Sequence, residues 1–281
     1  MQLKLELLAP AKNRDIGIAA ITCGADAVYI AGPSFGAREA AGNSLSEIAE
    51  LVEFAHKFGA KVYMTINTIV YDNELRALQN QIDEAYKIGI DAFIVQDLGV
   101  LKLTLPPIPL FASTQTNIRT PEQARMLESL GFERLILARE LSLEQISEIG
   151  SAVKCDIESF VHGALCVSYS GQCYLSERLT GRSANRGRCI QACRSKYDLI
   201  DSSGKVLVKN HSILSLKDLK LDEHIGKLIE AGVSSFKIEG RLKNISYIKN
   251  VVRHYRGIID KYIATHPQYS KASFGAIEGG F

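Results

Sequence analysis

Short apolar runs rich in Val, Ile and Leu alternate along this chain with stretches whose apolar residues recur at helical spacing. The runs fall at 5–9, 27–30, 61–67, 92–97, 110–115, 134–139, 157–162 and 235–239. Continuous apolar strands suit a parallel sheet covered on both faces, and the helical stretches between them supply its crossovers. Eight such units predict an α/β, TIM-barrel-like (β/α)8 fold.

Local signals support the same spacing. Ser44 and Glu47 form a capping box ahead of LSEIAELVEFAHKFG, and Thr120 with Pro121 opens another helix. Gly59, Gly89, Gly131 and Gly232 stand where helices should stop. One interval breaks the rhythm: roughly 70 residues separate strands seven and eight, far more than a crossover needs. That interval holds a Cys-rich insertion, 164–210, which leaves the C-terminal end of strand seven. The expected organisation is one catalytic domain over 1–265 and a flexible tail over 266–281, polar and glycine-containing, with truncation before further domains as an alternative.

At 281 residues and 46% hydrophobic, the chain can bury a large core. It opens MQLKLELLAP, with charges where a secretory signal would be apolar, and it carries no apolar run of membrane-spanning length. A reducing, cytoplasmic setting without membrane partners is expected. The net charge of +2 says little, but over 177–196 six basic residues, among them Arg182, Arg186 and Arg188, face one acid, Glu177. Such a patch suits phosphate, or it balances nearby thiolates.

Four of the six cysteines crowd into this insertion, at Cys166, Cys173, Cys189 and Cys193. Their C-x6-C-x15-C-x3-C spacing is wider than the paired knuckles of zinc ribbons. An iron–sulfur cluster, a structural zinc, and lastly disulfides or unligated thiols all remain open on spacing alone. Cys23 and Cys155 read as structural thiols.

In a barrel the chemistry sits at the C-terminal strand ends. Candidates there are Asn67, Gln96, Asp97, Ser113, Gln115, Asn117, Arg139, Glu140, Glu158, His162, Lys237, Glu239 and Arg241, with Arg38 after strand two. Both structural pairs and substrate-facing groups are expected among them. Lys237 and Glu239 share a face by alternation and lie within ion-pair reach. His162 reads as a group near the cysteines, a substrate donor or a structural histidine. Gly32-Pro33-Ser34-Phe35-Gly36 matches G-x-S-x-G, but the proline before Ser34 and the late capping box at Ser44 argue for a plain loop.

The segments ESFVHGALCVSYSGQCYLS, NRGRCIQACR, LSLKDL and FKIEGRLK, with ELLAPA, GADAVYI, STQTN and LARELSLEQI upstream, resemble the U32 family of collagenase-like peptidases over nearly the whole chain. The resemblance implies a barrel-like domain holding a four-iron four-sulfur cluster on Cys166, Cys173, Cys189 and Cys193. It further implies oxygen-independent hydroxylation of a cytidine in 23S ribosomal RNA or of wobble uridine in tRNA, with prephenate as hydroxyl source. A peptidase, or a hydroxylase of a small molecule such as a ubiquinone precursor, is the alternative. On this reading Glu158, His162, Lys237 and Glu239 are catalytic candidates. Arg38, Asn67, Gln115, Asn117, Arg139 and Arg241 would bind substrate, and Arg182, Arg186 and Arg188 would bind RNA.

Overall fold

The computed structural model describes residues 2–37, 42–240 and 243–274. Strands β1 (Leu3–Ala11), β2 (Ala27–Ala31), β3 (Lys61–Ile66), β4 (Ala92–Val95), β5 (Leu110–Ala112), β6 (Arg134–Ile136) and β7 (Asp156–Gly163) lie side by side and parallel. After β8 (Tyr197–Ile200), β9 (Val206–His211) and β10 (Leu219–Lys220), strand β11 (Val233–Ile238) pairs parallel with both β7 and β1. With β6 bonded to β7, eight parallel strands close a TIM-barrel-like α/β fold.

Helices α1 (Arg14–Thr22), α2 (Leu45–Lys57), α3 (Leu75–Lys87), α4 (Pro121–Ser129), α5 (Leu143–Ala152), α6 (Leu175–Thr180), α7 (Ile225–Glu230) and α8 (Ile245–Thr265) complete the fold. The Ser44–Glu47 capping box is present at α2, and Pro121 begins α4 behind the Thr120 cap. Between β4 and β5 a 3-10 helix, Leu98–Lys102, replaces the α-helix. No helix among the described residues is long and apolar enough to cross a membrane.

Alternation divides each strand between two cores. In β1, Leu5, Leu7 and Ala9 face the helices and join the large outer core. Leu8 faces inward, into a smaller core with Tyr29, Tyr63, Ile94, Phe111, Ile136 and Phe160. Glu6 also faces inward. Its carboxylate meets the Arg134 guanidinium, the Ser235 hydroxyl donates to it at 2.9 Å, and the Tyr63 hydroxyl at 2.6 Å. Arg134 also binds Glu158 at 3.2 Å, and Lys237 Nζ binds the other Glu158 oxygen at 2.7 Å. Two carboxylates and two cations thus neutralise one another inside the barrel. Burial pushes the Glu6 carboxyl up, but Arg134, Tyr63 and Ser235 outweigh it and hold it below its ordinary range.

Strands four to six end two or three residues earlier than the sequence pattern suggests. Asp97 and Ser113, read there as strand ends, cap 3-10 turns: Asp97 accepts from the Gly99 amide and Ser113 from the Gln115 amide. The expected tail from 266 also needs correction. Tyr269–Lys271 forms β12, parallel to β1, and the Ser273 hydroxyl donates to Asp26 at 2.7 Å. The open edge at the start of β1 recruits this segment because its backbone groups need partners. Residues 275–281 lie outside the described residues.

Removing the hub cation should be costly. Arg134→Leu leaves Glu6 and Glu158 without their shared counter-charge and is expected to lower stability by about 3–5 kcal/mol, read as a reduced urea midpoint. Because the Glu6 carboxyl is held low, its stabilisation is present above the ordinary carboxylate range and lost as pH falls through the folded value. The variant should therefore show a flatter acid limb than wild type. A midpoint unchanged within error would show that the hub does not hold the barrel closed.

Candidate active site at the barrel mouth

The chain between β7 and β11 folds over the C-terminal ends of the barrel strands. Cys166 and Cys173 lie in the loop leaving β7, and Cys189 and Cys193 follow α6. All six thiols of the chain are free. The four insertion cysteines line a single cavity with Tyr29, Asn67, Ser113, Gln115, Arg139, Phe160, Lys237 and Glu239. Three of them, with Arg139 and Glu239, also border a second cavity reaching Arg194, Asp218 and Lys243. The thiols sense one another: burial pushes Cys193 up, Arg194 opposes this, and Cys166, Cys189 and Cys173 raise it further.

Four half-buried thiols on one concave surface form a soft donor set that suits an iron–sulfur cluster or zinc. As the side chains stand, no three His, Cys, Asp or Glu groups among the described residues are drawn together tightly enough to grip a single ion.

The insertion is fastened to the barrel at several points. Arg186 binds Glu74 at 2.6 and 2.9 Å, donates to the Ile69 carbonyl at 2.8 Å and covers the Tyr71 ring at 3.9 Å. Arg194 donates to the carbonyls of Leu165 and Leu216 and to Ser215, tying the loop of Cys193 to that of Cys166. The Ile190 amide donates to Ser176 at 3.2 Å, joining the two cysteine pairs. At Gly171 (φ +72°) any side chain would collide with the Gln115 carbonyl, so only glycine lets this loop reach the β5 turn.

The cavity brings together Asn67, Gln115, Arg139, Lys237 and Glu239 from the sequence candidates. Asn67 is buried, donating to Ser113 at 3.2 Å and accepting from the Ala37 amide at 3.0 Å. Lys237 and Glu239 both line the cavity as alternation requires, and Lys237 pairs with Glu158 at 2.7 Å. Glu158 itself is fully buried below the cavity, within the hub. His162 is not on the cavity wall. A register shift between β7 and β11 puts an extra residue at Val161, so His162 pairs with Ile238 and turns outward. There it packs on Tyr247 and Tyr255, with Nδ1 at 3.3 Å from the Tyr255 hydroxyl, and burial pulls its pKa down.

Asn117 adopts the left-handed conformation at the end of the β5 turn, away from the cavity lining. Arg182 and Arg188 are exposed on the insertion, whereas Arg186 is committed to the Glu74 clasp. Arg38 and Arg241 lie outside the described residues. Cys23 caps α1 in the core, and Cys155 sits at the opposite end of the barrel, its thiol pushed up to about 12 by burial and Glu128. Ser34 lies in a loop whose positive φ falls at Phe35, and the next described helix begins at Leu45. The strained strand-to-helix elbow of a nucleophilic serine is therefore not formed.

Several contributors escaped the sequence reading. Glu6 and Arg134 were detectable as charges in otherwise apolar strands, and inward alternation would have paired them. Tyr169 and Arg119 carry no signal that spacing could reveal, and Arg194 stands out only as one of the six basic residues over 177–196.

The fold and site define an α/β-barrel protein whose mouth is lined by cysteines. The chain belongs to peptidase family U32, whose model matches residues 12–277. It is 54% identical over 278 residues to the 23S rRNA 5-hydroxycytidine C2501 synthase of Escherichia coli K12, covering 99% of this chain and 43% of that protein. It is 41% identical to tRNA hydroxylation protein P1 of Bacillus subtilis 168, covering 93% of this chain and 64% of that one. The chain thus spans less than two thirds of either relative. The solved structure of the U32 peptidase Mk0906 superposes with a TM-score of 0.57 at 14% identity, covering 85% of this chain and 93% of that one, which supports the fold alone.

Loosening the clasp should free the insertion without unfolding the barrel. Arg186→Ala is expected to cost about 1 kcal/mol, since the pair is partly exposed, and to speed proteolytic nicking within 164–218. Hydrogen exchange in that segment should rise while the barrel strands stay protected. Unaltered exchange in the insertion would count against the clasp.

Proposed function

We propose that this chain is the catalytic portion of an iron–sulfur, oxygen-independent RNA hydroxylase that converts a 23S ribosomal cytidine to 5-hydroxycytidine. The observation that carries the reading is the convergence of four thiols on the same cavity as Arg139, Lys237 and Glu239, in a chain so similar to a ribosomal RNA hydroxycytidine synthase. Charge distribution favours a nucleic-acid substrate. Over 164–220 the insertion carries ten Lys and Arg against four Asp and Glu, +6 in a chain of net +2, so the remainder is −4.

Cys166, Cys173, Cys189 and Cys193 would hold the cluster, which when bound supplies one-electron transfer beside the substrate. The protein's own groups do the rest. Arg139 and Lys237 offer cations to a donor rich in carboxylates such as prephenate, the hydroxyl source we favour. Asn67, fixed by Ser113 and the Ala37 amide, presents its amide to a base edge, and Tyr29, Ile94, Ile136 and Phe160 exclude water from the reacting carbon. We place the protein in the cytoplasm, where thiols stay reduced.

Anaerobically purified protein should carry about four irons with inorganic sulfide. Alanine at any of the four insertion cysteines should abolish the cluster, while Cys23→Ala and Cys155→Ala keep it. Mass spectrometry of ribosomal RNA from a deletion strain should lack 5-hydroxycytidine until the wild-type gene is restored. A colourless protein holding one zinc overturns the cluster assignment, and unchanged 5-hydroxycytidine in the deletion strain overturns the substrate.

A further inference from the structure

We infer that Tyr169 is the platform on which the target base stacks when it enters this cavity; the inference rests on the RNA-hydroxylase reading above. A base cannot react inside a folded RNA, so it must be extruded and held by stacking and by contacts to its edge. Tyr169 borders the thiol-lined cavity and keeps 56% of its surface exposed.

The ring is fixed in advance. The Arg119 guanidinium covers one face, 4.0 Å from the ring centroid, and Arg119 Nε lies 3.9 Å from Glu140. The same Glu140 accepts from the amide and hydroxyl of Ser170, at 3.2 and 3.1 Å. Gly171 is wedged against the Gln115 carbonyl, so the backbone following the tyrosine is anchored as well. One face is thus clamped by a cation and the other is left for a partner.

A second tyrosine makes an internal comparison. Tyr71 is equally exposed at 56% and is likewise covered by an arginine, Arg186 at 3.9 Å. Tyr71 does not border the thiol cavity, and its arginine serves the clasp on Glu74. Arg119 and Glu140 also join the barrel to the insertion, through Tyr169 and Ser170, but this clamp holds a ring that lines the thiol cavity. Base-on-aromatic stacking tolerates any base, so the edge would be read deeper, by Asn67 and Gln115 on the cavity wall.

The test compares Tyr169→Phe and Tyr169→Leu in the full chain, with iron content and thermal melting confirming that each variant folds. Unmodified 23S rRNA from a deletion strain is the substrate. A short single-stranded RNA with pyrrolocytosine at the target position reports stacking through quenching of its fluorescence. Y169F should keep KM within about twofold and retain the quench. Y169L should raise KM on the order of ten- to a hundredfold, change kcat less and lose the quench. Wild-type KM and quench in Y169L would overturn the platform, and equal impairment in Y169F would assign the effect to the phenolic hydroxyl instead. If wild type fails to hydroxylate yet quenches the probe, the reaction assignment fails while the platform stands. If wild type does not quench the probe, the platform falls.

Discussion

Everything at the mouth of this barrel rests on one buried cation. Arg134 reaches across the closed interior to Glu6 on β1 and Glu158 on β7, while the Ser235 hydroxyl on β11 lies within hydrogen-bond reach of both carboxylates, at 2.9 and 3.1 Å. Strands β1, β6, β7 and β11 form the seam where the sheet meets itself, so the hub lies where closure must be enforced. A closed barrel gives such charges little access to water, and they are tolerable because they are paired with one another. The set is balanced, with two carboxylates facing Arg134 and Lys237. Burial disfavours the Arg134 cation, and Glu6, Tyr63 and Glu158 more than reverse this.

The hub also reaches the cavity. Lys237 has one end of its interactions on Glu158 and its ammonium 4.4 Å from the Tyr29 ring, and it lines the cavity wall. This lysine is buried, at 4% exposure, and the carboxylate beneath it is held by Arg134 and Ser235. The floor of the cavity is therefore positioned from below, by residues that do not line it.

Much of the fold was legible in the sequence because it depends on local signals. Apolar runs marked all eight barrel strands, and caps such as Ser44 and Thr120 marked helix starts. What failed were features set by neighbours distant in sequence. His162 has the same parity as Glu158 and Phe160, and nothing nearby announces the bulge that turns it to Tyr255. Arg186 reads as one member of a basic run, and only the Glu74 contact, 112 residues away in sequence, separates it from Arg182 and Arg188. The tail was read as flexible because its composition is polar, whereas an open strand edge decides its conformation. For the site, the four cysteines and the charged strand ends could be nominated, but their sharing of one cavity depends on how an irregular insertion is pinned.

The placement of that insertion follows from electrostatics as much as from connectivity. Leaving β7 directly beside β11, the chain returns four sulfurs to the end of the barrel where Lys237 and Arg139 already stand. Ionised sulfurs together with Glu239 would be unfavourable over an apolar mouth, and Arg139, which also lines it, offsets part of that charge. Arg194 adds another positive charge near Cys193, spending its hydrogen bonds on Leu165, Ser215 and Leu216 so that the same residue both opposes the thiol charge and fixes the loops. Apart from the clasped Arg186, the insertion's remaining basic side chains, including Lys205 and Lys209 on the β8–β9 hairpin, lie on its exposed surface. Charge is thus layered from the interior outward, from a neutral hub to a positive rim. A polyanion approaching this protein would meet the positive rim first, and the charges of the hub beneath it are already paired with one another.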